Sequence, residues 1–214
     1  MRYLIVCGGK IDKEFGLNEI KTDGIDAIIA ADSGMDFLYE NGVTPDIIVG
    51  DFDSTTTNAL EYFERKGQTE IRRLNPVKDD TDTEYAIRLA ISEGARSIVV
   101  LGATGSRIDH VLGNISLLGI GLESKTDISI IDTNNRIRMA DKPVTIEKSA
   151  QYGRFVSLIA LTDDNEVSLK GFKYPVTDYS FDRFTSLGIS NEIVDDHALI
   201  DIHRGKFIII ESKD

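Results

Sequence analysis

Apolar residues fall in short unbroken runs through the first part of the chain, and each run ends at a glycine or an aspartate. Runs of this kind suit strands buried on both faces. They predict strands over residues 3–7, 27–31, 46–49, 97–101 and 127–132, and the more polar segment 70–74 is expected to form a further short strand. The segments between them carry helical spacing instead. A helix opens at Asp32-Ser33-Gly34 with Phe37 and Leu38 facing inward, and ends near Asn41-Gly42. A second covers 58–66 and stops at Gly67. A third covers 81–93: Thr81 and Glu84 have capping-box spacing, Ile87, Ala90 and Ile91 share a face, and Gly94 ends it. A fourth begins at Ile108 and runs to Leu118. Strands alternating with helices across short loops predict a three-layer α/β domain with a mostly parallel sheet.

The period changes near Thr133-Asn134-Asn135. Beyond it the pattern gives short strands at 136–140, 144–147, 155–160, 166–170, 192–194, 198–203 and 206–211, with no helical stretch. Gly153, Gly171, Gly188 and Arg204-Gly205 punctuate them. This predicts a second, all-β domain, a small sandwich or barrel. The expected division is 1–133 and 134–214.

Charge narrows the partners. Across 214 residues the formal net charge is −12, which argues against nucleic acid and anionic membranes as general partners. A phosphate substrate would need local attraction from a metal, backbone amides or a few placed Lys and Arg. The single cysteine, Cys7, sits in an apolar run, so a disulfide framework is excluded and a reducing compartment is expected. The first apolar run is too short for a signal peptide, and no run is long enough to span a bilayer. A soluble cytoplasmic protein is the expectation.

Three carboxylate clusters remain to be explained. In Pro45-Asp46-Ile47-Ile48-Val49-Gly50-Asp51-Phe52-Asp53-Ser54, an extended backbone would turn Asp51 and Asp53 to one side and Phe52 to the other, into the core. Paired aspartates at the carboxyl end of a buried strand suit a hard cation such as Mg²⁺. A polar loop closing a strand would carry similar residues. The second cluster, Lys78-Asp79-Asp80-Thr81-Asp82, opens the capped helix. Acidic residues favour that position, but three of them behind a lysine exceed what capping needs. The third is Gly102-Ala103-Thr104-Gly105-Ser106-Arg107-Ile108-Asp109-His110. It is neither a Walker loop nor Gly-x-Gly-x-x-Gly, and by itself it reads as a tight turn. Arg107 adds a candidate bidentate phosphate clamp and Asp109 a third possible metal ligand. All three clusters follow strands or open helices that do, so a parallel sheet would bring them to one edge.

Together these segments resemble the thiamine pyrophosphokinase family. Ala31-Asp32-Ser33-Gly34 and Gly188-Ile189-Ser190-Asn191-Glu192 complete the set, in family order across nearly the whole chain. The resemblance implies an N-terminal α/β catalytic domain that binds ATP and Mg²⁺. It also implies a C-terminal β-sandwich that binds thiamine, and a homodimer with the active site between protomers. It assigns Asp51, Asp53, Asp82 and Asp109 to the metal, with Asp53, Asp82 and Asp109 in the catalytic set. Asp32, Lys78, Thr104 and Arg107 fall to nucleotide and phosphate, and Ser190 and Asn191 to thiamine. Some family members place a tryptophan by the thiamine ring, and this chain has none. The implied reaction is attack of the thiamine hydroxyl on the β-phosphorus of ATP, with AMP leaving and Asp53 or Asp82 accepting the proton. Two other readings use the same residues: a Mg²⁺-dependent nucleotide phosphohydrolase, and a non-enzymatic nucleotide-sensing dimer.

Overall fold

A computed structural model describes residues 1–52, 57–75 and 80–214. The chain divides into two compact units, Met1–Thr133 and Asn134–Asp214.

The first unit is built on six strands: β1 (Arg2–Val6), β2 (Ala27–Ala31), β3 (Ile47–Gly50), β4 (Glu70–Arg73), β5 (Ser97–Leu101) and β6 (Asp127–Ile131). Their order in the sheet is β6-β5-β1-β2-β3-β4, and every neighbouring pair is parallel. The order reverses between β1 and β5. A crevice opens at such a point outside the carboxyl ends of the strands, where α/β sheets bind ligands.

Helices cover both faces. The chain adds α1 (Lys13–Ile20), α2 (Gly34–Glu40), α3 (Ala59–Lys66), α4 (Asp82–Ser92) and α5 (Ile108–Ser124). Met35 and Leu38 of α2 and Ala59 and Phe63 of α3 share a core with Leu4, Val6, Ala30, Ile48, Val99 and Leu101. Met35, Leu38 and Phe63 have no exposed surface, and burial on that scale stabilises by about 1.5–3 kcal/mol per side chain. Ile5, Ile29, Ile98 and Val100 alternate to the opposite face and are equally buried. That double burial is why these strands read as continuous apolar runs. On α4, which packs across β1, β2 and β3, the inward residues are Ala86, Ile87, Leu89 and Ala90.

Local sequence explains the starts of α1 and α4. The Thr81 hydroxyl accepts from the Glu84 N–H at 3.2 Å and caps α4. The Glu84 carboxylate turns to Arg88 at 2.7 Å, so an i,i+4 ion pair takes up the acid that a full capping box would have used. The α1 helix was not anticipated. Asp12 caps it, its side chain accepting from the Phe15 N–H at 2.9 Å. At its far end α5 runs six residues past the expected stop at Leu118, through Gly119 and Gly121, to Ser124.

The second unit is a sandwich of two antiparallel sheets. One has the order β12 (Asn191–Glu192), β9 (Phe155–Ala160), β14 (Phe207–Ser212), β7 (Asn135–Ala140). The other has the order β11 (Val176–Ser180), β10 (Glu166–Lys170), β13 (His197–Arg204), β8 (Val144–Glu147). Ala198, Ile200 and Ile202 alternate inward from β13 to meet Val156, Leu158, Phe207 and Ile209. Among the described residues no helix is long and apolar enough to cross a membrane.

Candidate active site

The carboxyl ends of β1, β2, β3 and β5 and the amino terminus of α4 form one rim. Cys7 N–H donates to Leu101 O at 2.8 Å and Gly9 N–H to Gly102 O at 2.9 Å, which ties the loop after β1 to the loop after β5. The Cys7 sulfur lies 3.4 Å from the Thr83 hydroxyl in the first turn of α4. Burial pushes the Cys7 thiol up to about 11, so at neutral pH it is an inert thiol rather than a nucleophile.

Three acids meet on this rim. Asp32, Asp51 and Asp82 each offer a carboxylate oxygen within 4.8 Å of the other two, and all three residues are half-buried. Each comes from a different element: Asp32 follows β2, Asp51 follows β3 and Asp82 opens α4. Three such charges repel by roughly 3 kcal/mol per pair at an effective dielectric near 20. An all-oxygen, all-carboxylate donor set matches a hard divalent cation and no soft one.

The backbone is bent to achieve this. Asp32 has φ 47 and Phe52 has φ 66, a region that L residues enter at a cost of about 1–2 kcal/mol. Asp32 is held there by its N–H on Val49 O at 2.7 Å and by the Met35 N–H on its own carbonyl at 3.2 Å. Strain sustained at a carboxylate cluster marks a site that the surrounding fold enforces. The left-handed turn at Phe52 corrects one expectation: the backbone is not extended between Asp51 and Asp53. Phe52 still reaches the core, with the Arg73 guanidinium 5.4 Å from its ring centroid.

Asp53 and Lys78 lie outside the described residues. Asp32, expected to serve the nucleotide, stands with the metal-capable acids. Its position at the carboxyl end of β2 was the available signal, since the same rule had singled out Asp51.

Asp109 is not in the group of three. In the first turn of α5 it receives two hydrogen bonds from Arg107, Nε to Oδ1 at 3.2 Å and NH2 to Oδ2 at 2.6 Å. The guanidinium holds its carboxyl down to about 2, so it stays ionised across the working range. Both side chains are exposed. The Thr104 hydroxyl donates to Asp132 Oδ2 at 2.8 Å, which ties the glycine loop to the end of β6.

In the β unit, Ser190 is exposed and has φ 60. Its N–H donates to Ser157 Oγ at 3.0 Å. Asn191 is buried, and its carboxamide bonds the main chain of Tyr174. Tyr174 is 62% exposed, with Lys173 Nζ 5.5 Å from its ring centroid. The Glu192 carboxylate, beside Asn191, holds Lys173 and Arg154, each at 2.9 Å.

Known proteins share this fold. The thiamin pyrophosphokinase catalytic-domain model matches residues 21–131, and the vitamin B1 binding domain model of the same family matches residues 143–207. Thiamine pyrophosphokinase of Bacillus subtilis (strain 168) is 34% identical over 188 residues, 87% of each chain. A crystal structure of the Bacillus subtilis enzyme covers 100% of both chains at 31% identity with a TM-score of 0.89. The Geobacillus thermodenitrificans enzyme gives 0.87 at 29% identity, over 100% of this chain and 98% of that one. The yeast enzyme gives 0.80 at 18% identity, over 99% and 86%, and supports the fold alone. Neither a phosphohydrolase nor a nucleotide sensor finds support among these relatives. Matched by both domain models of one family and by a relative along most of its length, the chain belongs to the thiamine pyrophosphokinase family.

Proposed function

We propose that the chain carries out its family's reaction as an ATP:thiamine diphosphotransferase, with Mg²⁺ held by Asp32, Asp51 and Asp82. The observation that carries this reading is the convergence of those three carboxylates within 4.8 Å from three separate elements. When bound, Mg²⁺ supplies the charge neutralisation that lets a triphosphate approach an acidic rim.

The protein's own groups do the rest. Arg107 keeps one face on Asp109 and turns its remaining N–H groups to phosphate oxygens. Asp109 therefore serves by holding that guanidinium in place. The amino terminus of α5 adds a positive dipole end beside it. Lys78 is a second cationic contact for the phosphates. Thr104, braced on Asp132, fixes the glycine loop against the nucleotide. Asp53 or Asp82 takes the hydroxyl proton as the thiamine oxygen attacks the β-phosphorus and AMP departs. Holding the attacking and leaving oxygens in line supplies most of the rate.

Thiamine sits against the β unit, with Ser190 at the aminopyrimidine. In the absence of tryptophan the ring contact falls to Tyr174, an exposed aromatic whose main chain is bonded by Asn191, the residue after Ser190. The site is completed between two copies, the α/β unit of one protomer facing the β unit of its partner. The reaction belongs in the cytoplasm, where ATP is at hand.

A coupled assay for AMP tests this reading. AMP should form in step with thiamine diphosphate only when thiamine, ATP and Mg²⁺ are all present, and chelation should stop it. ATP breakdown at the same rate without thiamine would contradict the reading.

A further inference from the structure

Asn191 occupies a place that a peptide group would ordinarily fill. Residues 171–174 run antiparallel to 191–194. Phe172 bridges Ile193, Lys173 N–H donates to Glu192 O at 2.8 Å, and Val194 N–H donates to Gly171 O at 2.9 Å. The next rung belongs to Tyr174, whose two main-chain groups meet a side chain instead. Tyr174 N–H donates to Asn191 Oδ1 at 3.0 Å, and Asn191 Nδ2 donates to Tyr174 O at 2.9 Å. The main chain of Asn191 faces the other way and pairs with Val156 of β9. Its Oδ1 also accepts from the Glu192 N–H at 3.0 Å.

These bonds are made at a residue only 6% exposed, where water is a poor substitute partner. A carboxamide offers an acceptor and a donor side by side, as a peptide does. Asp cannot donate, Ala offers neither group, and Gln is one methylene longer. With Oδ1 accepting two N–H groups and one Nδ2 hydrogen given to Tyr174 O, this 6%-exposed residue has a single Nδ2 hydrogen left for any other partner. What it controls is the path of the chain at Tyr174, and Ser190 is the residue just before it.

We propose that Asn191 is a positioning residue for thiamine, locking Tyr174 beside Ser190 rather than touching the substrate itself. This rests on the placement of thiamine at Ser190 and Tyr174 given above.

The test is steady-state kinetics on the full chain, with thiamine and ATP varied separately. The variants are Asn191→Ala, Asn191→Asp, Tyr174→Ala and the Asn191→Ala/Tyr174→Ala double variant. Each single variant should raise the KM for thiamine about tenfold while the KM for ATP stays within about twofold. The double variant should lie within about twofold of Tyr174→Ala, because the lock then has no ring to hold. Multiplication of the two single effects would overturn the proposal and make Asn191 a direct contact. A raised thiamine KM in Tyr174→Ala but not in either Asn191 variant would overturn the lock alone. An unchanged thiamine KM in Tyr174→Ala would overturn the thiamine placement and the lock with it. If the Asn191 variants do not fold, hydrogen exchange on the unaltered chain decides. The Tyr174 N–H should be strongly protected, and exchange at the rate of an unstructured amide would overturn the lock.

Discussion

Asp82→Asn should lose turnover by about a thousandfold or more, equivalent to about 4 kcal/mol of transition-state stabilisation, while the protein stays folded. Two consequences of the substitution bear on folding, and they oppose each other. Asp82 is the first residue of α4, and its charge there is worth about 0.3–1 kcal/mol to the helix. Its removal also relieves repulsion from Asp32 and Asp51, whose carboxylates lie within 4.8 Å. The Thr81 cap onto Glu84 does not involve the Asp82 side chain. Stability should therefore change little, whereas an amide cannot replace a carboxylate as ligand to a hard cation. The kcat with saturating thiamine and ATP, read beside a thermal melt, checks this. A folded variant keeping more than about a tenth of the activity would remove Asp82 from the site, since one decade is only about 1.4 kcal/mol.

The second large effect concerns the loop that shapes the rim. Gly102→Ala should destabilise the α/β unit by about 3 kcal/mol or more, adding a left-handed backbone cost of about 1–2 kcal/mol to an overlap. Gly102 has φ 69, and a Cβ there would stand 2.3 Å from the Cys7 carbonyl oxygen. The overlapping atom belongs to the backbone, so no rotation of a side chain relieves it. The strain falls where Gly9 N–H meets Gly102 O. Gly34 is similarly confined, with a Cβ 2.0 Å from Val6 O. Loss of far-UV ellipticity on heating should come at a clearly lower temperature in Gly102→Ala, and an unchanged melt would contradict the contact.

These effects show which parts of the molecule a reader of the sequence can reach. The inner strands of the α/β sheet were legible because burial on both faces leaves an unbroken apolar run: 27–31 was expected and Ala27–Ala31 is β2. The helix at Asp82–Ser92 was legible from its cap and its apolar face. By contrast, α1 mixes charged, apolar and glycine residues in eight positions and shows no clear face. On the sandwich, β11 was missed because it is mostly exposed and irregular. Its register shifts against β10, and Asp178 within it has φ 46.

The site divides the same way. Asp51 and Asp82 follow from the rule that ligands gather at the carboxyl edge. Asp32 has the same edge position, but that its carboxylate joins them depends on a left-handed turn, which Asp tolerates better than most residues yet adopts only where the fold requires it. Arg107 was read as a phosphate clamp and Asp109 as a metal ligand, and spacing alone did not reveal that the two pair with each other. For Asn191 the motif marked the position but not the role, because its partner Tyr174 is 17 residues away and the contact is to main chain.

The most direct measurement is a titration with Mn²⁺ as a paramagnetic stand-in for Mg²⁺, followed by electron paramagnetic resonance on the unaltered chain and on Asp32→Asn, Asp51→Asn and Asp82→Asn. Three carboxylates sharing one ion should each weaken binding by about tenfold or more when neutralised, since one decade corresponds to about 1.4 kcal/mol. Equal affinity in all four proteins would contradict a metal centre at Asp32, Asp51 and Asp82.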